Sequence, residues 1–237
     1  MSTIKENLNT VLSQIREAES ISNREKNSVR LLAVSKFHEI SEIEQAIQQG
    51  QIYFGENRVQ EAYTKFTELT KKYPDIKLHI IGQLQTNKVK KACEIATCIE
   101  SVDRLELIKE IEKRASQLNK TIEIYFEYHT GEESKSGFTS YQDLQEAVKY
   151  CAEGNCPHIN PCGLMTMAPF TQDTDLIRES FRTLVKVQKQ LSTEFPNILL
   201  SELSMGMSGD YKIAIQEGST QVRVGTAIFG ERNYNKQ

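Results

Sequence analysis

The sequence lacks the features that mark membrane, secreted and nucleic-acid-binding proteins. It has no apolar run close to the ~20 residues that a helix needs to span a bilayer. The first seven residues lack the apolar core of a secretory signal. Acidic and basic residues are interleaved, and the net charge of −3 gives no electrostatic reason to expect nucleic acid or an anionic membrane as a partner. We therefore expect a cytoplasmic protein.

The cysteines do not form the pattern of a disulfide framework or of a structural zinc site. There are five of them, and an odd count in a chain without an export signal favours free thiols. Cys151, Cys156 and Cys162 surround His158, but their C-x4-C-x5-C spacing lacks the paired C-x2-C of zinc knuckles. We interpret them as loop thiols, assign no metal site and leave their role open.

Short apolar runs alternate with longer segments of helical period along the 237 residues. The eight predicted strands are 31–35, 52–55, 77–81, 98–102, 122–128, 163–167, 199–203 and 221–224. The predicted helices between them are 41–49, 58–73, 87–96, 104–118, 141–153, 173–194 and 211–216. An amphipathic segment within residues 1–28 precedes the first strand.

This alternation predicts the fold. Parallel strands joined by right-handed crossovers form an α/β protein, and eight units without an evident linker indicate a (β/α)8 TIM-like barrel. We expect a single domain over 1–237, with an extra N-terminal helix in 1–28 and the barrel in 29–234. An open doubly wound sheet is the alternative, but its G-x-G-x-x-G motif is missing after the first predicted strand.

Polar residues stand at the ends of the predicted strands, where such barrels carry their working loops. The candidate site residues are Lys36, Asn57, Ser204, Ser208, Arg223, Gly225 and Thr226. The loops after the seventh and eighth strands are the usual phosphate position. Here glycine lets backbone N–H groups approach an anion, and serine and threonine add hydroxyl donors. The pattern predicts a phosphate site, with turn residues that bind no ligand as the alternative.

Two basic residues indicate what else the site holds. Lys36 stands at the abrupt end of an apolar strand. This position suits an amine that forms a Schiff base with a phosphorylated aldehyde such as pyridoxal phosphate. An exposed strand end is the alternative. Arg223 lies in an apolar strand and needs an acceptor there, which a pyridine nitrogen or a barrel carboxylate would provide. Because a guanidinium only donates, it would leave a pyridine nitrogen unprotonated and weaken the ring as an electron sink.

Seven ordered segments form a pattern that is specific to one family. They are AVSK at 33–36, FGENRVQE at 54–61, HIIGQLQTNK at 79–88, GEESKSG at 131–137, GLMTMAP at 163–169, SMGMS at 204–208 and RVGTAIFG at 223–230. With this set the chain resembles, from about residue 31 to residue 234, the pyridoxal phosphate homeostasis protein family. One segment departs from the family pattern, because Tyr128, His129 and Thr130 stand where a strand end with valine and asparagine is more common.

The resemblance implies a barrel similar to the cofactor domain of alanine racemase. It implies pyridoxal phosphate (PLP) held on Lys36 as a Schiff base. The other implied contacts are phosphate binding by the 204–208 loop and by Gly225 and Thr226, Arg223 at the ring nitrogen, and Asn57 in the same pocket. Ser204 and Ser208 remain alternative phosphate ligands. Lys88 and Lys135 also lie in the matching segments and are competitors of Lys36 for the aldehyde.

The resemblance also implies a function in intracellular vitamin B6 homeostasis, in which the protein buffers PLP and delivers it to PLP-requiring apo-enzymes. The alternative is a PLP-dependent racemase of small amino acids, which needs an acid/base group on each face of the substrate carbon. In alanine racemase a partner subunit supplies the second base through an additional β-domain, and this sequence shows no β-rich segment after Tyr234. We therefore expect a carrier and not an enzyme.

A third alternative is a barrel that binds a sugar phosphate without a covalent bond, which would leave Lys36 and Arg223 without a role. The sequence favours a monomer, because no domain for subunit exchange is visible, but its composition leaves a dimer open. It does not indicate how PLP is released.

Overall fold

The structure is a computed structural model that describes residues 3–131 and 136–230. Its eight parallel strands form a closed barrel in chain order. The strands are β1 Arg30–Val34, β2 Tyr53–Glu56, β3 Lys77–Ile80, β4 Cys98–Val102, β5 Ile122–Glu127, β6 Ile159–Met165, β7 Glu202–Ser204 and β8 Gln221–Val224. The barrel closes where Leu31 lies opposite Val222 and Leu32 opposite Arg223. The predicted (β/α)8 barrel is confirmed.

Helices surround the barrel because each one buries an apolar stripe against the outer faces of the strands. The helices of the described residues are α1 Ile4–Ile21, α2 Ile40–Gln48, α3 Val59–Lys72, α4 Val89–Ile95, α5 Leu105–Gln117, α6 Tyr141–Ala152, α7 Thr174–Glu194, α8 Tyr211–Gln216 and α9 Thr226–Phe229. A 3-10 turn, Thr86–Lys88, precedes α4. None of these helices is long and apolar enough to cross a membrane.

The extra N-terminal helix α1 is confirmed, and it packs against the helix that follows β8. Thr3 and Glu6 form a capping box at its start. Its apolar residues recur at helical spacing, and α1 packs against α2, α8 and α9. The side chain of Asn7 donates to the carbonyl of Ile228 at 2.9 Å. The first helix therefore fixes the short helix that follows β8.

Several boundaries differ from the prediction. Strand β6 begins at Ile159, four residues before the predicted start at 163. Strand β7 begins at Glu202 and not at the predicted start, Leu199, which lies in a loop and is 78% exposed. The helix α9 was not predicted. Its four residues follow a strand directly, and the apolar run of that segment reads equally well as a continuation of the strand.

Candidate functional site

A cavity of about 130 Å³ opens at the carboxyl end of the barrel. Six of the seven candidate residues line it together, namely Lys36, Asn57, Ser208, Arg223, Gly225 and Thr226. They come from β8 and from the segments that follow β1, β2, β7 and β8, which meet because parallel strands bring their carboxyl ends to one rim. The structure therefore assembles most of the predicted set in one place. The seventh residue, Ser204, lies outside the lining.

Lys36 stands on a tight turn directly after β1. The strand is buried, so its end emerges from the barrel at a defined point, and Lys36 is half-buried there. The turn closes when the backbone N–H of His38 donates to the carbonyl of Ser35 at 3.1 Å. Between them, Phe37 has a φ of +68°, in the left-handed region. The backbone around the lysine is therefore in a costly conformation that its surroundings must hold.

Sequence reasoning missed His38, which also lines the cavity. Its ring stacks on Phe229 of α9 with the centroids 4.9 Å apart, and its Nδ1 lies 3.2 Å from Glu42 Oε1. The available signal was its position two residues after Lys36. The sequence does not indicate in which direction a side chain in a turn points, so only the contact with α9 identifies His38 as a residue of the site.

The candidate phosphate loops after β7 and β8 each contain a glycine whose backbone has special geometry. Gly206 has a φ of +97°, so the loop turns there in a way that favours glycine. Ser208 is exposed at the cavity, and Asp210 Oδ1 accepts from the N–H of Met207 at 2.5 Å, which fixes the loop. A Cβ at Gly225 would lie 3.0 Å from the carbonyl oxygen of Val34, so any other residue here would require the β8 loop or β1 to shift.

Arg223 is buried in β8 and is held by carbonyl groups of the barrel. Its Nη1 donates to the carbonyl of Ser204 at 2.7 Å and to Ser204 Oγ at 2.8 Å. Its Nη2 donates to the carbonyl of Thr166 at 2.7 Å. Within the described residues these bonds use three of the five N–H donors of a guanidinium, and Arg223 also belongs to the lining of the cavity.

Ser204 connects Arg223 to a carboxylate inside the barrel. Its Oγ donates to Glu100 Oε2 at 2.6 Å while it accepts from Arg223. The other oxygen, Glu100 Oε1, contacts His79 Nδ1 at 2.6 Å and accepts from Gln221 Nε2 at 2.7 Å. Both hydrogen-bonding functions of the Ser204 hydroxyl are thus used below the cavity. The sequence-based alternative in which Arg223 pairs with a barrel carboxylate is realised only indirectly, through this serine.

The environments of Glu100 and Arg223 shift the pKa values of both groups. Burial alone would raise the pKa of Glu100, but the hydrogen bonds from His79 and Ser204 and the charge of Arg223 hold that pKa below its ordinary value. Burial lowers the pKa of Arg223, and the negative charges of Glu100, Asp210 and Glu127 oppose that effect. Since a guanidinium keeps its proton in proteins, Glu100 is its counter-charge across one hydroxyl.

The remaining predicted residues lie elsewhere. Lys88 belongs to the 3-10 turn and is not in the cavity lining. Lys135, with the rest of 132–135, lies outside the described residues. Thr130 Oγ1 contacts Thr166 Oγ1 at 2.7 Å and Ser180 Oγ at 2.5 Å, so this departing segment faces other side chains next to the site.

The cysteines are all free thiols, as expected. The interpretation as loop thiols is wrong for two of them, because Cys151 lies in α6 and Cys162 in β6, and only Cys156 lies in a loop. Cys162 lies at the opposite, amino-terminal mouth of the barrel, away from the cofactor-site candidates. One group of metal-type ligands occurs among the described residues, formed by His79, Cys98 and Glu100 within 4.8 Å. His79 and Glu100 already bond each other there, and burial raises the pKa of the Cys98 thiol well above its ordinary value. A protonated thiol is a poor ligand, so we interpret this group as a hydrogen-bonded pair beside an apolar cysteine.

Known proteins resemble this chain over nearly its whole length. Residues 7–233 match the family model described as alanine racemase, N-terminal domain. The pyridoxal phosphate homeostasis protein of Aquifex aeolicus is 39% identical over 229 residues, which cover 97% of this chain and 98% of that protein. The protein of the same name from Vibrio alginolyticus is 38% identical and covers 99% of this chain and 100% of its own.

A solved structure shows the same architecture. PipY of Synechococcus elongatus, with PLP bound, is 33% identical at a TM-score of 0.82, and the match covers 96% of this chain and 100% of PipY. Fold and site thus define a barrel of the alanine racemase N-terminal domain class. Within that class, the chain belongs to the pyridoxal phosphate homeostasis protein family. The resemblance read from the seven motifs is confirmed.

Proposed function

We propose that this protein binds PLP on Lys36 as a Schiff base and acts in PLP homeostasis, holding and delivering the cofactor without turning over a substrate. One observation carries the proposal. An amine, a hydroxyl-lined phosphate position and a buried guanidinium meet in a single cavity at the carboxyl end of the barrel. These three groups fit the aldehyde, the phosphate and the ring nitrogen of PLP.

The donor set of the cavity fits the phosphate. Ser208 and Thr226 offer hydroxyl groups, and the first N–H groups of α9, at 226 and 227, have no intrahelical acceptor by helix geometry. Gly225 permits the close packing of this loop on β1. We assign the phosphate contact to Ser208, with Gly225 and Thr226, because the Ser204 hydroxyl already bonds Glu100 and Arg223. Asn57 completes the lining beside Lys36.

Arg223 fits the ring nitrogen and favours a carrier. PLP supplies an aldehyde for covalent binding and, when its nitrogen is protonated, an electron sink. Arg223 stays charged and offers only donors, so it holds the nitrogen unprotonated. This arrangement keeps the covalent bond to Lys36 available and removes much of the electron sink. The names of the relatives, which describe homeostasis, support the same conclusion.

The experiment that tests the proposal is the visible absorption spectrum of the purified protein, followed by borohydride reduction and peptide mapping. We expect a yellow chromophore that reduction fixes to the peptide containing Lys36. A Lys36→Ala variant should lose this label, while a Lys88→Ala variant, altered in the 3-10 turn outside the cavity, should keep it. A protein that stays colourless with added PLP, or a label only on other lysines, would overturn the proposal.

The enzymatic alternative is a racemase of small amino acids. The observation in its favour is His38, an imidazole in the cavity that could serve as a second acid/base group. Against it stand Arg223 and the fixation of that ring by Phe229 and Glu42. We expect negligible racemisation of alanine by the PLP-loaded protein. Delivery predicts instead that the loaded protein restores activity to a PLP-requiring apo-enzyme, with a matching loss of its own chromophore.

A further inference from the structure

The turn that carries Lys36 is held from behind by α3. The left-handed φ of Phe37 is unfavourable for a bulky residue, and such conformations persist only where the surroundings impose them. The surroundings here include two side chains one helical turn apart, Glu61 and Lys65, which bond the backbone of the turn. Both reach from α3 to the backbone of the turn.

Lys65 donates hydrogen bonds to both ends of the turn. It is nearly buried, at 7% exposure, and its Nζ donates to the carbonyl of Ser35 at 2.9 Å and to that of His38 at 3.3 Å. The same ammonium pairs with Glu56 Oε1 at 2.6 Å and with Glu61 Oε1 at 2.8 Å. A buried ammonium with this many acceptors cannot move without breaking several charge-assisted bonds at once. It therefore fixes the carbonyl groups that flank residues 36 and 37.

Glu61 accepts a hydrogen bond from the middle of the turn. Its Oε1 accepts from the backbone N–H of Phe37 at 2.6 Å, while it also pairs with Lys65. The two α3 side chains thus bond the peptide groups of residues 35, 37 and 38, which flank Lys36, a residue of the cavity lining. Neither Glu61 nor Lys65 lines the cavity itself. Their contacts act on the direction of Lys36 and not on a ligand.

Glu56 completes the support. It accepts from Ser35 Oγ at 2.7 Å and from Lys65, but its second oxygen is buried without a hydrogen-bond partner among the described residues. A carboxylate left in this state is costly, so a purely structural design would place an apolar residue here. The cluster is therefore better explained by what it does to the turn than by the stability that it contributes.

We propose that Lys65, supported by Glu61, is the positioning residue for Lys36: it holds the strained Ser35–His38 turn so that the amine of Lys36 points at the aldehyde position. The proposal rests on the proposed function, since it assumes that Lys36 bonds PLP. Its specific consequence is that the cluster matters for the covalent bond and not for phosphate or ring binding, which the β7 and β8 loops provide.

The test compares two ligands in matched variants. PLP carries the aldehyde, whereas pyridoxine 5′-phosphate has the same ring and phosphate with a hydroxymethyl group in its place. We expect Glu61→Ala and Lys65→Met to weaken PLP binding by about tenfold or more, the effect of one charge-assisted hydrogen bond, and to leave pyridoxine 5′-phosphate binding within about twofold. Lys65→Arg should restore part of the PLP affinity. The controls are Glu68→Ala and Lys71→Met, an exposed ion pair on the same helix, which should change neither affinity.

A second measurement needs no cofactor. Hydrogen exchange of the Phe37 amide in the ligand-free protein should accelerate at least about tenfold in Glu61→Ala, because that N–H loses its acceptor. If Lys65→Met fails to fold because Glu56 is left unpaired, the double variant Glu56→Gln/Lys65→Met replaces it. Equal losses for both ligands, or no loss for either, would overturn the proposal. A wild-type protein that never forms the Lys36 bond would refute the proposed function. Hydrogen exchange would still show whether Glu61 and Lys65 hold the turn.

Discussion

Two buried carboxylates, Glu56 and Glu100, lie in equally water-free surroundings and behave in opposite ways. Both are 0% exposed. Glu100 has bonds from His79, Gln221 and Ser204 spread over both of its oxygens, and its pKa is lowered. Glu56 has bonds on one oxygen only, and burial raises its pKa to about 7 despite the opposing effect of Lys65. The comparison indicates that, at equal burial, the number and placement of donors decide whether an interior carboxyl group stays charged.

The two carboxylates also serve different basic residues. Glu100 lies below Arg223 and gives it a permanent counter-charge through Ser204. Glu56 lies behind the turn of Lys36 and contacts it through Ser35 and Lys65. The Arg223 end of the cavity thus has a fixed counter-charge. The end that carries the amine rests on a group that changes charge near neutral pH.

The largest expected effect comes from removing the charge of Glu100. Glu100→Gln keeps the shape of the side chain but leaves Arg223 buried without its counter-charge, so the free energy of unfolding should fall by about 4 kcal/mol. Urea unfolding of the ligand-free protein measures this change. The matched variant Glu56→Gln should cost much less at pH 8. A loss below about 1 kcal/mol for Glu100→Gln would show that Arg223 needs no anion in the barrel.

The next effect is a pH dependence that distinguishes the two groups. The pKa of Glu56 is raised from 4.5 to about 7 in the folded protein, so the folded state binds more protons than the unfolded state between these values. The stability contributed by this group is present below pH 4.5 and is lost as the pH rises through about 7, a fall of up to about 3 kcal/mol. Urea unfolding at several pH values should show a flatter curve between pH 5 and 8 for Glu56→Gln.

Two further carboxyl groups serve as references in that experiment. Burial also raises the pKa of Glu127 to about 7, so Glu127→Gln should flatten the curve in the same window. The pKa of Glu100 is lowered, so its contribution is present above about 4.5 and is lost only in more acidic solution. A Glu56→Gln curve that keeps the slope of the wild type above pH 5 would contradict the assignment of Glu56.

The smallest expected effects separate the two serines. Ser204→Ala removes the hydroxyl between Glu100 and Arg223 and should lower the free energy of unfolding by about 2 kcal/mol. Ser208→Ala should leave stability within about 0.5 kcal/mol and weaken PLP binding by about tenfold. Urea unfolding and absorption titration with PLP measure the two quantities. If Ser208→Ala binds PLP as the wild type does, the phosphate assignment to Ser208 is wrong.

The sequence by itself determined the barrel and the main members of the site. Alternation of apolar runs with helical segments is a local property, and it predicted eight strands, of which β4 and β8 match to the residue. In a closed parallel barrel all strands end at one rim, so residues that follow strands are neighbours whatever their separation in the chain. Lys36 and Arg223, nearly two hundred residues apart, could therefore be placed together before any coordinates.

Only the tertiary structure decided which neighbour each polar side chain faces. Ser204 and Ser208 belong to one short motif, yet one points into the barrel interior and the other into the cavity, because β7 ends at Ser204 and the loop then turns at Gly206. The partnership of Glu100 with Arg223, and that of Lys65 with the Lys36 turn, join distant elements through side chains. Such contacts depend on the strand register and on the direction of each side chain within it, and no local pattern records either.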